Sequence, residues 1–240
     1  MLELIKAEFQ KSKRTTTNKF ILIAPLFTLF ICVLWGGGQI GAYNWWYTMF
    51  LPGMISIISS QVIIREKSLS YKGILLYPLD KGLTWLAKIL YVIVLVTLSN
   101  LIFMIGIEIH GLFFGPVIPF KANIFAIFIL ISTLLFTIPI SLFLSVKFNM
   151  FVTVLFNIGM TIIGVVSFGS NSILSNLPYA TSSALMVPIL RILPNGLPAP
   201  KNSALMNPEL IATDTMINII VFIVLTILTT IWFKRKAVNK

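Results

Sequence analysis

The stretch ILYVIVLVTLSNLIFMIGIEI, residues 89–109, is apolar along nearly its whole length and contains a single charged residue, Glu108. A bilayer core of ~30 Å requires about 20 mostly apolar residues per helix, so this stretch predicts a transmembrane helix. The rest of the chain has the same character, since only 10% of its residues are charged and its mean hydropathy is +0.98. Soluble globular domains lie far from these values. We therefore expect one integral membrane domain covering residues 1–240.

Six apolar runs predict six transmembrane helices, so the expected fold class is an all-α integral membrane protein. Pro52 and Gly53 interrupt the second run, and the aromatic cluster at residues 45–47 near its start is typical of an interfacial belt. The predicted spans are Phe20–Trp35, Tyr43–Ile64, Ile89–Ile109, Ile124–Val146, Met150–Phe168 and Met216–Phe233.

Lysine and arginine are unevenly distributed between the two sides of the predicted bundle. Fifteen of the 18 lie before the first span, in the loops after the second and fourth spans, and in the C-terminal tail, and only Lys121, Arg191 and Lys201 lie on the other side. The positive-inside rule then places both termini in the cytoplasm. The net charge of +11 is explained by attraction to anionic lipid, and no nucleic acid partner is needed.

Residues 169–215, between the fifth and sixth spans, form the long segment predicted on the outer side. Six prolines exclude a long helix in this segment. Its many Leu, Ile and Met residues favour short amphipathic helices that lie on or dip into the membrane surface. The alternative is a disordered loop, which this apolar composition disfavours. We expect a partly helical extracellular loop.

The sequence contains few residues that could act in catalysis. It has one histidine, seven acidic residues, no Cys and His spacing for a metal and no P-loop. We therefore predict no catalytic, metal-binding or cofactor-binding residue, and any ATP is bound by a partner. Glu108 and His110 fall at the outer end of the third span, where a water-facing pair is the favoured interpretation and a proton-coupled step the alternative. The lone Cys32 is expected to be packed or lipid-facing.

A polar stretch, REKSLSYKGILLYPLDK at residues 65–81, separates the second and third spans. Tyr71, Ile74 and Leu75 have the spacing of one face of a short helix, which Pro78 ends. Such a cytoplasmic helix either lies on lipid or docks into the groove of a partner protein. The residues alone leave both uses open.

The pattern of Glu66, Gly73, Leu76, Pro78 and Lys88 resembles the signature loop of ABC type-2 permeases. In that family the loop forms a coupling helix that seats in a cleft of the ATP-binding subunit. The resemblance implies a coupling loop at residues 65–88, with Glu66 at its start and Tyr71 and Ile74 in the cleft. The coupling residues that it implies are Arg65, Glu66, Lys67, Tyr71, Lys72, Gly73, Ile74, Leu76 and Pro78.

The N-terminal stretch MLELIKAEFQKSKR is similar to the interfacial helix that opens permeases of this family, and it implies such a helix over residues 1–19. The sequence WGGGQIGAY, residues 35–43, follows the first apolar run and is a poor cleavage site, so an uncleaved signal anchor is favoured over a cleaved signal peptide. Leu2, Ile5 and Phe9 form an apolar stripe, and Lys13 and Arg14 suit lipid headgroups.

Within the family, the chain is similar to the permease subunits of lantibiotic immunity transporters. This similarity implies a bacterial cell membrane, a second related permease chain or a second copy, two ATP-binding subunits that hold ATP and Mg²⁺, and a peptide substrate. An exporter of another drug, lipid or peptide is one alternative. An ATPase-independent pore former or sensor is an alternative of a different class, and the scarcity of acids and histidine in the spans disfavours an intramembrane enzyme.

Overall fold

The computed structural model describes residues 1–13, 15–68, 80–168, 173–200 and 206–238 of the chain. These residues are mostly helical, and their one β-type pairing is an isolated bridge between Ile192 and Pro198. The helices are α1 (Leu2–Ser12), α2 (Thr17–Trp35), α3 (Gly38–Ser68), α4 (Lys81–Phe114), α5 (Phe120–Leu134), α6 (Thr137–Lys147), α7 (Met150–Val166), α8 (Pro178–Leu190) and α9 (Glu209–Val238).

Among the described residues, four helices are long and apolar enough to cross a membrane individually: α2, α3, α4 and α9. The pair α5 and α6 provides a fifth if it is a single span, bent by 42°. Pro139 explains the bend, because its ring removes one backbone donor and crowds the carbonyl of Leu135 one turn earlier. The remaining predicted span corresponds to α7, which has only 17 residues. The protein is therefore a multi-pass membrane protein.

Helix α3 is the most enclosed of the long helices and forms the centre of the bundle. Pro52 and Gly53 do not interrupt it, since a π-helical segment, Trp46–Phe50, directly precedes them. A wider π turn accommodates the missing backbone donor of a proline without ending the helix. The interruption expected from the sequence is therefore absent from the structure.

The aromatic cluster at the start of α3 is not an interfacial belt. Only Trp45 is exposed, whereas Trp46 and Tyr47 are completely buried. Trp46 stacks on Phe103 at 4.7 Å, and its indole N–H donates to Asn100 Oδ1 at 3.0 Å. A buried indole needs such a hydrogen-bond partner, and α4 supplies it. The expectation of a belt was wrong for two of the three aromatic residues because α4 packs against this part of α3.

The described part of the segment between α7 and α9 contains α8, which packs back against α7. The Tyr179 hydroxyl donates to Asn157 Oδ1, about midway along α7, at 2.8 Å. A β-carbon on Gly164 would lie 2.7 Å from Ala180 Cα, so the two backbones touch there. The first turn of α8 therefore packs directly against α7.

Candidate functional site at the charged end of the bundle

Four charged side chains meet at one end of the bundle, where α1, the last turn of α3 and the start of α4 come together. Glu66 Oε1 accepts hydrogen bonds from Lys88 Nζ at 2.7 Å and Lys11 Nζ at 2.8 Å. Glu8 Oε1 accepts from the same two lysines at 2.7 and 3.0 Å. We call Glu8, Lys11, Glu66 and Lys88 the ion cluster. Oε1 of each glutamate accepts from both lysines, so the two negative charges alternate with two positive charges and the cluster is neutral.

The ion cluster is almost entirely withdrawn from water. The side chain of Lys88 is 0% exposed, and those of Glu66 and Glu8 are 2% and 3% exposed. Burial of a single charge is costly, so these groups are stable only while each keeps its partners. Lys11 lies at the rim, 39% exposed. Burial disfavours its charge, but Glu66 and Glu8 outweigh that effect and raise the pKa of Lys11 above 10.5.

Helix α1 is held to the bundle by one face. Glu8 and Lys11 are one turn apart and point inward together, and the ring of Phe9 packs edge-on against Tyr91 of α4 at 4.8 Å. Of the predicted apolar stripe, Phe9 therefore contacts the bundle, Ile5 is half-buried and Leu2 is exposed. Lys13 is exposed, and Arg14 lies outside the described residues.

The three predicted coupling residues at the end of α3 contact different neighbours. Glu66 belongs to the ion cluster. Lys67 Nζ donates to the carbonyl oxygens of Ser145 at 2.6 Å and Phe148 at 3.2 Å, which ties α3 to the end of α6. Arg65 Nε donates to its own helix, at Gln61 O, and its guanidinium lies 6.0 Å from the centre of the Tyr91 ring.

The start of α4 is fixed by a capping residue. Asp80 accepts a hydrogen bond from the Leu83 amide at 2.8 Å, and its carboxylate lies 3.5 Å from Lys234 Nζ of α9. The Leu83 amide, followed by the charge of Lys234, lowers the pKa of Asp80. The structure thus anchors both sides of the segment 69–79. The predicted coupling residues Tyr71, Lys72, Gly73, Ile74, Leu76 and Pro78 lie outside the described residues.

Glu108 and His110 do not form the water-facing pair that the sequence suggested. Glu108 is half-buried and accepts a short hydrogen bond from Asn123 Nδ2, and Asn123 Oδ1 accepts one from the Tyr43 hydroxyl. His110 packs against Phe114, with a ring-centre distance of 4.7 Å, and its buried Nδ1 has no hydrogen-bond partner among the described residues. Within the described part of the chain, no group of three His, Cys, Asp or Glu side chains could hold a metal ion.

Residues 4–170, more than half of the chain, match the family model described as ABC-2 family transporter protein. The chain belongs to this family. It is therefore the membrane-embedded transport component of an ABC transporter, and the family implies pairing with a separate ATP-binding subunit. Searches of curated proteins and of solved structures give no match.

The ion cluster lies wholly within the part of the permease that matches the family. Sequence reasoning used Glu66 and Lys88 but missed Glu8 and Lys11. A signal was available, because Glu8 directly precedes Phe9 and shares the inward face of α1 with it. A carboxylate beside the apolar stripe of an interfacial helix predicts a cationic partner on the surface that the stripe covers.

Proposed function

We propose that the permease belongs to an ATP-driven exporter that expels a lantibiotic or related bacteriocin peptide from the membrane of the producing bacterium and so protects it. In this proposal the segment 65–88 is the coupling loop that contacts the ATP-binding subunit, and both termini lie in the cytoplasm. The observation that carries the coupling role is the ion cluster, because it joins the two ends of this loop.

The ion cluster suits the loop for transmitting motion. Glu66 is the second residue of the loop and Lys88 is the last, and the two are paired at 2.7 Å. A displacement of the loop therefore acts on α1, α3 and α4 together, since separating them would leave buried charges without partners. Lys67 extends the link to α6 through the carbonyl of Ser145. Coupling between distant sites is carried by such connected, rigid elements.

Three residues of the loop have specific roles in this mechanism. Tyr71 and Ile74 fill the cleft of the ATP-binding subunit, and Gly73 permits close approach of the two backbones. ATP and Mg²⁺ bind to that subunit, and closure of two such subunits drives the loop. A second permease chain, either a related protein or a second copy, completes the transporter. The similarity to lantibiotic immunity permeases supports a peptide substrate.

The coupling role is tested by replacing Tyr71→Ala in the permease, purified with its ATP-binding subunit and reconstituted in liposomes. We expect the substrate-stimulated ATPase rate to fall to the basal rate while insertion is retained. Trp35→Ala is the control, because Trp35 is an aromatic residue 76% exposed on α2 and away from the loop. Unchanged stimulation in Tyr71→Ala would rule out this role.

The substrate is tested separately, in sensitive bacteria that express the complete transporter. Tolerance to a pore-forming lantibiotic should rise, and it should return to the starting level when the permease carries Tyr71→Ala. An active transporter that gives no tolerance would instead favour the export of another drug, lipid or peptide.

A further inference from the structure

Among the described residues, none accepts a hydrogen bond from the end of the half-buried Arg65 side chain. Both terminal guanidinium nitrogens are buried and find no partner there, whereas Nε donates to Gln61 O. Gln61 Oε1, on the same face of α3 one turn earlier, is also buried and has no partner in this part of the chain. Orphaned buried groups are uncommon in folded proteins and indicate a missing ion, water or ligand.

The described residues offer Arg65 no spare negative charge. The nearby carboxylates of Glu8 and Glu66 are already neutralised by Lys11 and Lys88 in the ion cluster. Arg65 therefore remains as an additional, unbalanced positive charge. The two buried guanidinium nitrogens need acceptors, and an anion from outside the described residues would supply both the acceptors and the missing negative charge.

An apolar groove of ≈ 210 Å³ runs along the same helix, and its last lining residue on α3 is Ile57, four residues before Gln61. Ala24 of α2 and Ile158 of α7 form its sides, and Gly53, Met54 and Ile57 of α3 form its floor. It opens to the bilayer, because neighbouring side chains of α2 are about half exposed. Along α3, Gln61 follows Ile57 by one turn and Arg65 follows by two, a rise of about 5.4 Å per turn.

We infer that this groove and Arg65 together bind one phospholipid. An acyl chain occupies the groove, and the phosphate accepts two parallel hydrogen bonds from the planar fork of Arg65, a geometry that arginine is suited to provide. Gln61 Oε1 then accepts a hydrogen bond from the headgroup. A glycerol hydroxyl or an ethanolamine ammonium supplies that donor, and a choline headgroup has none.

The surroundings of Arg65 favour a lipid over a carboxylate of the ATP-binding subunit. Its guanidinium lies against the ring of Tyr91, and Tyr91 packs against Phe9 of the interfacial helix α1. Helix α1 is the helix that the sequence predicts to lie on the membrane surface. Arg65 is also only three residues from Ser68 at the end of α3, close to the other charged side chains, and a long charged side chain near a helix end suits contact with lipid headgroups.

Native mass spectrometry of the full chain in detergent tests the site by titration with four probes. These are phosphatidylglycerol, phosphatidylcholine, a diacylglycerol with the same chains, and inorganic phosphate. We expect phosphatidylglycerol to bind most tightly, phosphatidylcholine more weakly and diacylglycerol at least about tenfold more weakly, since it lacks the charged hydrogen bonds. Equal binding of diacylglycerol and phosphatidylglycerol, or binding of inorganic phosphate without any lipid preference, overturns the inference.

Three variants locate the lipid. Arg65→Gln should weaken phosphatidylglycerol binding at least about tenfold. Ala24→Leu narrows the groove, leaves Arg65 in place and should also weaken it, which keeps the test valid if Arg65→Gln fails to fold. Lys6→Gln is the control, because Lys6 is 66% exposed and paired only with Glu3. Unchanged lipid binding in Arg65→Gln and Ala24→Leu overturns the inference. It does so even if either variant no longer associates with the ATP-binding subunit or with a second copy of the permease.

Discussion

Lys88 Nζ lies 2.7 Å from Glu66 Oε1, and both side chains are almost completely buried although they stand on opposite sides of the segment 69–79. The ion pair thus joins the end of α3, which precedes this segment, to the start of α4, which follows it. Glu8 and Lys11 complete the arrangement from α1. The proposed coupling loop, which would contact the ATP-binding subunit, is therefore attached to α1, α3 and α4, and the ion cluster links these three helices.

Replacement of Lys88→Met should strongly destabilise the permease. It leaves two buried carboxylates with only Lys11 as a partner, and loss of one member of a buried ionic group costs about 3–5 kcal/mol. Thermal unfolding of the purified protein measures the effect. Lys6→Met is the matched control, because the Lys6–Glu3 pair is exposed and such pairs contribute about 0–1 kcal/mol. Similar unfolding temperatures for the two variants would contradict a stabilising role of the ion cluster.

Hydropathy alone was sufficient to predict a multi-pass helical membrane protein, because the bilayer requires long apolar helices whatever their neighbours are. It could not show that α7 is short, whereas Pro139 within the fourth predicted span did indicate a bend there. The ion cluster depends on which helices adjoin, and Glu8 and Lys88 are 80 positions apart in the chain. The prediction that Trp46 belongs to an interfacial belt failed for the same reason, since its hydrogen-bond partner Asn100 lies on another helix.

The contribution of Lys11 to the stability of the folded protein should be lost at alkaline pH. The pKa of Lys11 is raised above 10.5 in the folded protein, so its charge stabilises the fold fully below pH 10.5 and this stabilisation is lost as pH rises through the higher folded value. The unfolding temperatures of the parent protein and Lys11→Met should therefore differ by a constant amount from neutral pH to about pH 10 and converge above pH 10.5. A difference that grows in that alkaline range would contradict this assignment.

Lys67 should stabilise the contact between α3 and the end of α6. Its ammonium group bonds to the carbonyls of Ser145 and Phe148, which lack helical partners at a C-terminus. Lys67→Met should lower the free energy of unfolding by about 1.5 kcal/mol, as expected for hydrogen bonds to a charged group. The control is Lys147→Met, since Lys147 is exposed at the same end. The prediction fails if both variants unfold at the same temperature.

Two glycines of α7 provide a paired test of how closely α8 packs. A β-carbon at Gly164 would lie 2.7 Å from Ala180 Cα and 2.8 Å from Ala180 N, whereas one at Gly159 would meet nothing within 4 Å. Backbone atoms cannot move aside as a side chain can, so Gly164→Ala must displace α8. Overpacking of this kind costs about 1–3 kcal/mol.

Gly159→Ala should instead be neutral or stabilising by up to about 1 kcal/mol, because alanine is the better helix former and no neighbour is displaced. Gly164→Ala should thus lower the unfolding temperature of the parent protein, whereas Gly159→Ala should leave it unchanged or raise it. Displacement of α8 is measured separately by thiol labelling of Ser183→Cys, a fully buried position, in a protein whose own cysteine is removed by Cys32→Ala. Labelling should become faster when Gly164→Ala is added and should not change when Gly159→Ala is added. Equal stability and equal labelling of the two alanine variants would show that α8 does not touch α7 at Gly164.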